Sequence, residues 1–342
     1  MSTPLVSFCF STFNRGEILR QTLESVRRQT FTDYEVIVSD NDPGCSGRIH
    51  VEAMNDSRFK YFPNGSNLGM KASFNKSLER SSGEFIVMIA DDDPVYFDML
   101  ETLIGLKQKY PGYSMYMGGC DWFCVDHSVA KLYNLKVGTN SCISSSHDLN
   151  TIWTYTPESF LHDFYTFRIF SHFLWSTCMV KRDLLIRMGG TPDYGSPFLG
   201  DYAYMSVASS ENGCVIINKP LGCQTIHKEN FGRNQNDQLP VVARNFPAFL
   251  DKKIGHIKGW DSIKPLMLRF SALWVVEHMS FLYHYREKGV IDQESLLKAE
   301  KEIFKIDYIR KYRFKFFLKK NFPAIHKLAV KIKAAGKKSK SE

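Results

Sequence analysis

The sequence predicts an α/β fold in which a mainly parallel central sheet is covered by helices on both faces, followed by a C-terminal helical region. Three observations support this prediction. Strand-like apolar runs alternate with helix-like segments in the first half of the chain. Each strand-like run ends in a polar segment, as is usual at the carboxyl edge of a parallel sheet. Past residue 240, the apolar spacing is helical almost throughout.

The individual elements follow from the period of the apolar residues. In the helix-like segment 16–30, Ile18, Leu19, Leu23 and Val26 share one face. A helix closed by glycine is predicted over 183–190, a further helix over 201–213, and a closing pair of strands over 213–228. The first four strands are predicted at residues 5–10, 34–39, 59–62 and 84–90.

The polar stretch 231–240 is the best candidate for a domain boundary. We therefore predict an α/β domain at 1–230, a helical region at 231–308 and a basic amphipathic tail at 309–342. With 44% hydrophobic and 23% charged residues, the composition is that of a globular protein. No signal peptide or membrane-spanning stretch is predicted. The eight scattered cysteines are expected to be buried thiols in a reducing compartment.

The net charge of +8 is concentrated at one end of the chain. Residues 309–342 contain twelve Lys or Arg and one acidic residue, so they carry +11 and the remainder carries −3. Cations alternate with aromatic residues over 308–322, and Ile325, Leu328 and Ile332 fall on one helical face. This pattern predicts binding to an anionic membrane surface. Nucleic acid is not an expected partner, since no recognition motif is present. A solvated, disordered end is the alternative from Lys337 onward.

Three adjacent carboxylates, Asp91, Asp92 and Asp93, follow the apolar run 85–90. Side chains this close repel one another unless a cation lies between them, and Mg²⁺ or Mn²⁺ prefers such oxygen ligands. One aspartate could instead cap a helix that has Pro94 at its first position. An acidic run after a strand fits two classes of enzyme, the nucleotide-sugar transferases and the dehalogenase-type phosphatases. The phosphatase motif normally closes the first strand of its domain, whereas this run closes about the fourth.

Residues 4–43 and 66–101 together resemble glycosyltransferase family 2, whose fold is called GT-A. The shared motifs include "STFNR", "QTFTDYEVIVSDN" and "IADDDP", in the family's order. The resemblance is strong over 4–110 and weaker over 175–228. It implies that Thr12, Asn14 and Arg15 hold the base and diphosphate of a nucleotide, and that Asp40 recognises the base or ribose.

The resemblance also implies that Asn67, Gly69 and Asn75 lie beside the nucleotide. Turn formation is an alternative reason for Gly69, and an Asx turn is an alternative role for Asp40. For Asp42, the Asx turn is the favoured interpretation.

The resemblance gives the acidic run a role in holding the metal. The family's usual motif is Asp-x-Asp-Asp, and its first aspartate is replaced here by Ala90. The resemblance then implies that Asp91 faces the ribose and the metal, that Asp92 is the direct metal ligand, and that Asp93 is either a ligand or a helix cap. His227 stands where many GT-A enzymes have a further metal ligand, although a lone histidine is often structural.

Asp201 matches the family's catalytic base. The acid that normally precedes it is replaced by Gly200, and a simple helix N-cap is the alternative for Asp201. Aromatic residues of 151–176, among them Trp153, Tyr155, Phe170 and Trp175, are candidates for the acceptor side, although core packing explains each of them as well.

The sequence thus predicts a metal-dependent glycosyltransferase that inverts the anomeric carbon. The expected donor is a nucleotide sugar, UDP-linked by analogy, and the expected acceptor is a lipid-linked or oligosaccharide glycan of a bacterial surface polysaccharide such as O-antigen or capsule. The expected location is the cytoplasm, at the inner face of the cell membrane. The alternatives are the phosphatase and a catalytically inactive, membrane-associated binding module.

Overall fold

A computed structural model describes residues 3–133, 135–143, 146–169, 172–227, 230, 237–286 and 292–322. The chain forms two compact units. The first comprises the described residues of Met1–Asp193, Gly200–Asn230 and Lys253–Trp260, and the second comprises those of Tyr194–Leu199, Phe231–Lys252 and Asp261–Glu342. Each unit thus includes one short segment from the other's sequence range, and the domain boundary expected at residue 230 stays a prediction.

The first unit is built on a single mixed sheet with the strand order β3-β2-β1-β4-β8-β5-β9-β7, in which β6 pairs with β5. The first four strands are parallel, whereas β8 runs antiparallel to both β4 and β5. The described strands are β1 (Val6–Thr12), β2 (Tyr34–Asp40), β3 (Phe59–Pro63), β4 (Phe85–Ala90), β5 (Met115–Cys124), β6 (Gly138–Asn140), β7 (Ile152–Tyr155), β8 (Cys178–Lys181) and β9 (Cys214–Ile226).

Helices pack on this sheet through the apolar stripes that the sequence indicates. In α1, Leu19, Leu23 and Val26 are fully buried in the core, whereas Ile18 is only partly buried. All eight cysteines are free thiols, and six of them are buried. The helices of this unit are α1 (Gly16–Arg27), α2 (Arg48–Glu52), α3 (Met70–Arg80), α4 (Met99–Lys109), α5 (His127–Tyr133), α6 (Pro157–Tyr165), α7 (Arg182–Met188) and α8 (Gly200–Ala208).

Two predicted elements differ from the structure. Residues 213–228 do not form a pair of strands, because β9 is one long strand whose register on β5 shifts on either side of Gly119. The helix expected directly after Pro94 begins only at Met99. The intervening backbone pairs with β9, where Tyr96 N donates to Leu221 O at 2.8 Å. Asp93 is therefore not a helix cap, and that alternative is wrong.

The second unit is helical, as predicted. Its last helix carries Phe316, which is buried against Phe304 and Tyr283. The expectations for Ile325, Leu328 and Ile332 lie outside the described residues. No helix among the described residues is long and apolar enough to span a bilayer. The remaining helices are α9 (Gln238–Ile254), α10 (Trp260–Arg286), α11 (Gln293–Ile303), α12 (Asp307–Arg310) and α13 (Arg313–Asn321).

Candidate active site

The carboxyl ends of β1, β2 and β4 meet at one edge of the sheet. Thr12 is in register with Asp40, and Ser11 is in register with Ala90. The loop after β1 and the acidic run after β4 are consequently neighbours. This is the edge at which parallel α/β sheets bind their ligands.

Arg15 joins this loop to the acidic run. Its Nη1 lies 3.3 Å from Asp91 Oδ1 and 3.1 Å from Asp92 Oδ2, and Thr12 Oγ1 donates to Asp91 Oδ2 at 2.8 Å. From α1, Thr22 Oγ1 donates to the Asp91 carbonyl at 2.8 Å. The guanidinium thus supplies part of the positive charge that the carboxylates require.

The environment of the three carboxylates differs from one to the next. Burial, together with the charge of Asp92, raises the pKa of Asp91 to about 6, although Arg15 and Thr12 oppose the shift. Burial raises the pKa of Asp93 well above its usual range, and the charges of Asp92 and Asp201 add to the effect. Excess negative potential therefore remains at the site, which favours the binding of a cation.

His227, at the end of β9, reaches the middle carboxylate of the run. Its Nε2 lies 3.1 Å from Asp92 Oδ2, and its backbone N donates to Asn230 Oδ1 at 2.8 Å. Asp93 is held by Thr225 N and Ser176 Oγ, each 3.3 Å from a carboxylate oxygen. Asp92 and His227 are therefore the pair whose ligand atoms converge.

Asp201 is the second residue of α8 and is not its N-cap, so the capping alternative is wrong. Its Oδ1 accepts a hydrogen bond from Trp175 N at 3.3 Å. Burial raises the pKa of Asp201 to about 6. A carboxylate with a raised pKa in a partly apolar site is a stronger base than a solvated one.

Asp40 and Asp42 both organise the loop after β2. Asp40 is fully buried and accepts from Asp42 N at 2.8 Å, Gly47 N at 3.1 Å and the Tyr61 hydroxyl at 2.8 Å. Asp42 accepts from Gly44 N at 2.8 Å, which is the Asx turn favoured from the sequence. Three hydrogen-bond donors of the protein itself therefore already bind the Asp40 carboxylate.

The segment containing Asn67 and Gly69 is exposed, with Gly69 N donating to Asn67 Oδ1 at 2.9 Å. Asn75 lies under the turn that follows α7, where its Oδ1 accepts from Thr191 N at 2.8 Å. A Cβ atom on Gly190 would lie 2.2 Å from the same oxygen. In the structure, the side chain of Asn75 joins α3 to this turn.

The aromatic segment divides into core residues and residues that line a cavity. The ring of Trp175 packs against Phe74 and Tyr204, with centroid distances of 4.9 and 5.9 Å, and Tyr155 packs against Phe160. The described partner of Trp153 is His147. Phe170 lies outside the described residues.

A cavity of about 80 Å³ opens beside Asp201. Its lining includes Phe164, Phe167, His172, Phe173, Asp201 and Tyr202. The sequence reasoning did not single out Phe167 or His172, and it also passed over Phe13, which is 46% exposed in the loop after β1. The position of Phe13 between Thr12 and Asn14, two residues expected to bind the nucleotide, could have indicated its role from the sequence.

The residues present fit a divalent ion in part. Within the described ranges, no three His, Cys, Asp or Glu side chains converge closely enough to hold a metal by themselves. Asp92 Oδ2 and His227 Nε2 are 3.1 Å apart, and two ligand atoms at about 2.1 Å from one ion are separated by about 3 Å. This oxygen and nitrogen pair suits an ion that takes its other ligands from a bound diphosphate.

The model of glycosyl transferase family 2 matches residues 7–189, which is more than half of the chain. The chain belongs to this family, and its fold is GT-A. The GalNAc(5)-diNAcBac-PP-undecaprenol β-1,3-glucosyltransferase of Campylobacter jejuni is 33% identical over 120 residues, which cover 34% of this chain and 38% of the relative. This match covers less than two fifths of the relative's length.

Two solved structures share the fold over most of the chain. S. aureus TarS 1–349 in complex with UDP superposes with a TM-score of 0.54 at 15% identity, covering 89% of each chain. The mannosyltransferase PcManGT of Pyrobaculum calidifontis, in complex with GDP-Man and Mn²⁺, superposes with a TM-score of 0.52 at 16% identity. That superposition covers 94% of this chain and 88% of PcManGT.

Proposed function

We propose that this protein transfers a sugar from a UDP-linked donor to a hydroxyl group of a lipid-linked glycan, with inversion, during synthesis of a bacterial surface polysaccharide. The observation that carries the proposal is the contact of His227 with Asp92 in the acidic run, beside Arg15, together with the charge of Asp201 acting on Asp93. Family membership favours this reaction over the phosphatase alternative, as does the position of the acidic run on the fourth strand of the sheet.

The donor is proposed to lie across the carboxyl edge of the sheet. Phe13 offers an exposed ring on which a base can stack, and Arg15 is within reach of a diphosphate. The loop held by Asp40, together with Asn14, Asn67 and Gly69, borders the same edge. Asn75 supports this edge through the turn at Thr191.

Asp92 and His227 are proposed to hold Mn²⁺ or Mg²⁺, with Asp91 and Asp93 supplying negative potential. When bound, the ion neutralises charge that develops on the departing diphosphate. Arg15 assists by donating to the same phosphates once the nucleotide competes with the carboxylates for its guanidinium.

Asp201 is proposed as the general base that takes the proton of the acceptor hydroxyl as that oxygen attacks the anomeric carbon. The attacking oxygen forms the new glycosidic bond while the bond to the diphosphate breaks on the opposite face. A single base and no covalent intermediate give inversion. Asp201 contacts no basic side chain in the structure that we describe, so its carboxylate is available to a proton donor.

The acceptor and location are proposed from the relatives and the basic tail. The Campylobacter jejuni relative acts on an undecaprenol-linked glycan, as its name states. A basic, aromatic C-terminal segment suits an enzyme that works at the cytoplasmic face of a membrane.

A thermal-shift titration with UDP, UDP-glucose and UDP-GlcNAc, with and without Mn²⁺, tests the proposed function. Stabilisation by a uridine nucleotide that increases with Mn²⁺ is expected. Sugar transfer to a lipid-linked acceptor, observed by mass spectrometry, would also exclude the inactive binding module. A folded protein that responds to neither nucleotide nor ion would contradict the proposal.

A further inference from the structure

The cavity beside Asp201 combines a carboxylate with aromatic side chains. The rings of Phe164 and Tyr202, both on the lining, lie 5.1 Å apart, and Phe164 stacks on the buried ring of Phe160 at 4.9 Å. Ligand sites are typically apolar cavities with a few convergent polar groups. The group that approaches Asp201 through this cavity therefore has an apolar part.

Phe167 lies on the lining of this cavity in a strained conformation. It directly follows the C-cap of α6 with φ of +58°, in the left-handed region, and Arg168 N donates to Asp163 O at 2.9 Å. This bonding pattern is a Schellman motif, and its left-handed position is usually glycine. A bulky residue there costs free energy. The residue is 64% exposed, so much of its surface is open to a ligand.

His172 provides a polar group on the same lining. Its Nε2 lies 3.1 Å from Gln224 Oε1, so Nε2 carries the proton when the oxygen accepts, and Nδ1 is then the acceptor atom of the ring. Burial lowers the pKa of His172, which keeps the ring neutral near pH 7. A neutral imidazole can accept a hydrogen bond from an amide N–H.

The size of the cavity limits its occupant. A space of about 80 Å³ can hold a substituent of a few non-hydrogen atoms. The carbonyl and methyl of an acetamido group match this size. They also combine an apolar methyl with an amide that needs a polar partner.

We propose that the cavity is an acetamido-binding subsite, in which Phe167 and His172 select an N-acetylhexosamine acceptor whose neighbouring hydroxyl is presented to Asp201. This inference rests on the proposed function, since it assumes that Asp201 receives the acceptor. It adds the chemical class of the acceptor sugar and the residues that recognise it.

The test compares two probes that differ only at one carbon of the sugar. Methyl 2-acetamido-2-deoxy-glucopyranoside and methyl glucopyranoside are titrated by NMR into the full chain saturated with UDP and Mn²⁺. We expect about 10-fold tighter binding of the acetamido glycoside, in line with the discrimination that a small apolar group provides. Equal affinity of the two probes, or binding of neither, overturns the proposal.

Phe167→Gly separates a binding role of the ring from a structural one. Because glycine suits the left-handed position, the variant should be at least as stable as the parent while losing the preference for the acetamido glycoside. Phe97→Ala is the matched control, since Phe97 is 61% exposed in the same unit and does not line the cavity. A Phe167→Gly variant that keeps the full preference overturns the role assigned to Phe167.

A thermal-shift measurement with UDP and Mn²⁺ distinguishes failure of this inference from failure of the proposed function. If UDP binds but the two glycosides are not discriminated, only the subsite is wrong. If UDP does not bind, the proposed function fails, and the subsite with it.

Discussion

Asp92 and His227 are 135 positions apart in the sequence, yet a carboxylate oxygen of one lies 3.1 Å from Nε2 of the other. The contact joins the end of β4 to the end of β9, two strands that are not neighbours in the sheet. It brings a hard oxygen ligand and an imidazole nitrogen to one point beside Arg15.

This pair predicts the metal dependence of the protein. We expect Asp92→Asn and His227→Ala each to weaken Mn²⁺ binding in the presence of UDP by at least about 10-fold, since each removes one of two convergent ligands. The measurement is a Mn²⁺ titration followed by electron paramagnetic resonance. His162→Ala is the control, because His162 is a partly exposed histidine whose described partner is the adjacent Asp163. Unchanged Mn²⁺ affinity in both site variants would contradict the assignment.

Replacement of Asp201 by Asn should separate catalysis from stability. Turnover is expected to fall by about 10²–10⁴-fold, since the general base is lost, while UDP binding is retained. The free energy of unfolding should rise by up to about 3 kcal/mol above pH 7, because a buried charge is removed and Asn can still accept from Trp175 N. Urea unfolding measures this change. Near-normal turnover would show that another group is the base.

The same substitution has a stability effect that depends on pH. The pKa of Asp201 is about 6 in the folded protein and near 3.9 when unfolded, so the folded state takes up the proton more readily. The stabilising contribution of the protonated group is complete below about pH 4 and is lost as the pH rises through 6. The advantage of the Asn variant should therefore be largest above pH 6 and should disappear near pH 4.

The activity of the parent protein should follow the ionisation of Asp201. As a base, the side chain must be ionised, so kcat/KM should fall about tenfold per pH unit below pH 6. The profile is measured with saturating Mn²⁺ and compared with the pH dependence of UDP binding. An acidic limb with a midpoint near pH 4 would contradict the raised pKa.

Arg15 is expected to stabilise the acidic run before any ligand binds. Arg15→Met leaves Asp91 and Asp92 without this cation, and we expect a loss of about 1–3 kcal/mol in the free energy of unfolding. Arg27→Met is the control, because Arg27 pairs with Glu24 on the surface of α1 and should change stability by less than about 0.5 kcal/mol. Equal stability of the two variants would argue against the proposed role of Arg15.

The structure changes how the membrane prediction should be tested. In α13, Lys315 and Lys319 pair with Glu277, Lys320 pairs with Glu300, and Phe316 is buried. Deleting residues 309–342 would therefore damage the second unit as well as remove charge. A truncation after residue 322 leaves α13 in place and removes the six lysines and the apolar residues of 323–342.

We expect the protein truncated after residue 322 to remain folded but to be released from anionic liposomes in a sedimentation assay. Phe314→Ser in the full-length protein should also weaken binding, since Phe314 is 71% exposed on α13. Liposomes of neutral lipid are the control, and they should retain little of either protein. Unchanged sedimentation of the truncated protein with anionic liposomes would count against the tail as the anchor.

The sequence predicted the parallel half of the sheet closely, because β1, β2 and β4 are short, mainly apolar runs and α1 has a regular stripe formed by Leu19, Leu23 and Val26. Both features are local in the chain. The long β9 strand and the late start of α4 could not be predicted in the same way. Each depends on backbone pairing between distant segments: β9 pairs with β5 about 100 positions away, and Tyr96 N donates to Leu221 O, 125 positions away.

The site shows the same division. Local sequence was sufficient to mark Asp91, Asp92 and Asp93 as a cluster of like charges, since adjacent carboxylates repel in any fold. It did not reveal that Arg15 pairs with both Asp91 and Asp92, or that Asp40 accepts hydrogen bonds from backbone N–H groups of its own loop.

What the chain determined by itself was the order of its strands and helices and the family motifs they carry, because apolar period and turn residues act over a few positions. Only the tertiary structure decided which side chains come together. It places His227 against Asp92, it puts Phe167 and His172 on the lining of the cavity beside Asp201, and it buries Phe316 in the second unit. The physical reason is that burial and proximity set these contacts and the pKa of Asp201, and both depend on segments distant in the sequence.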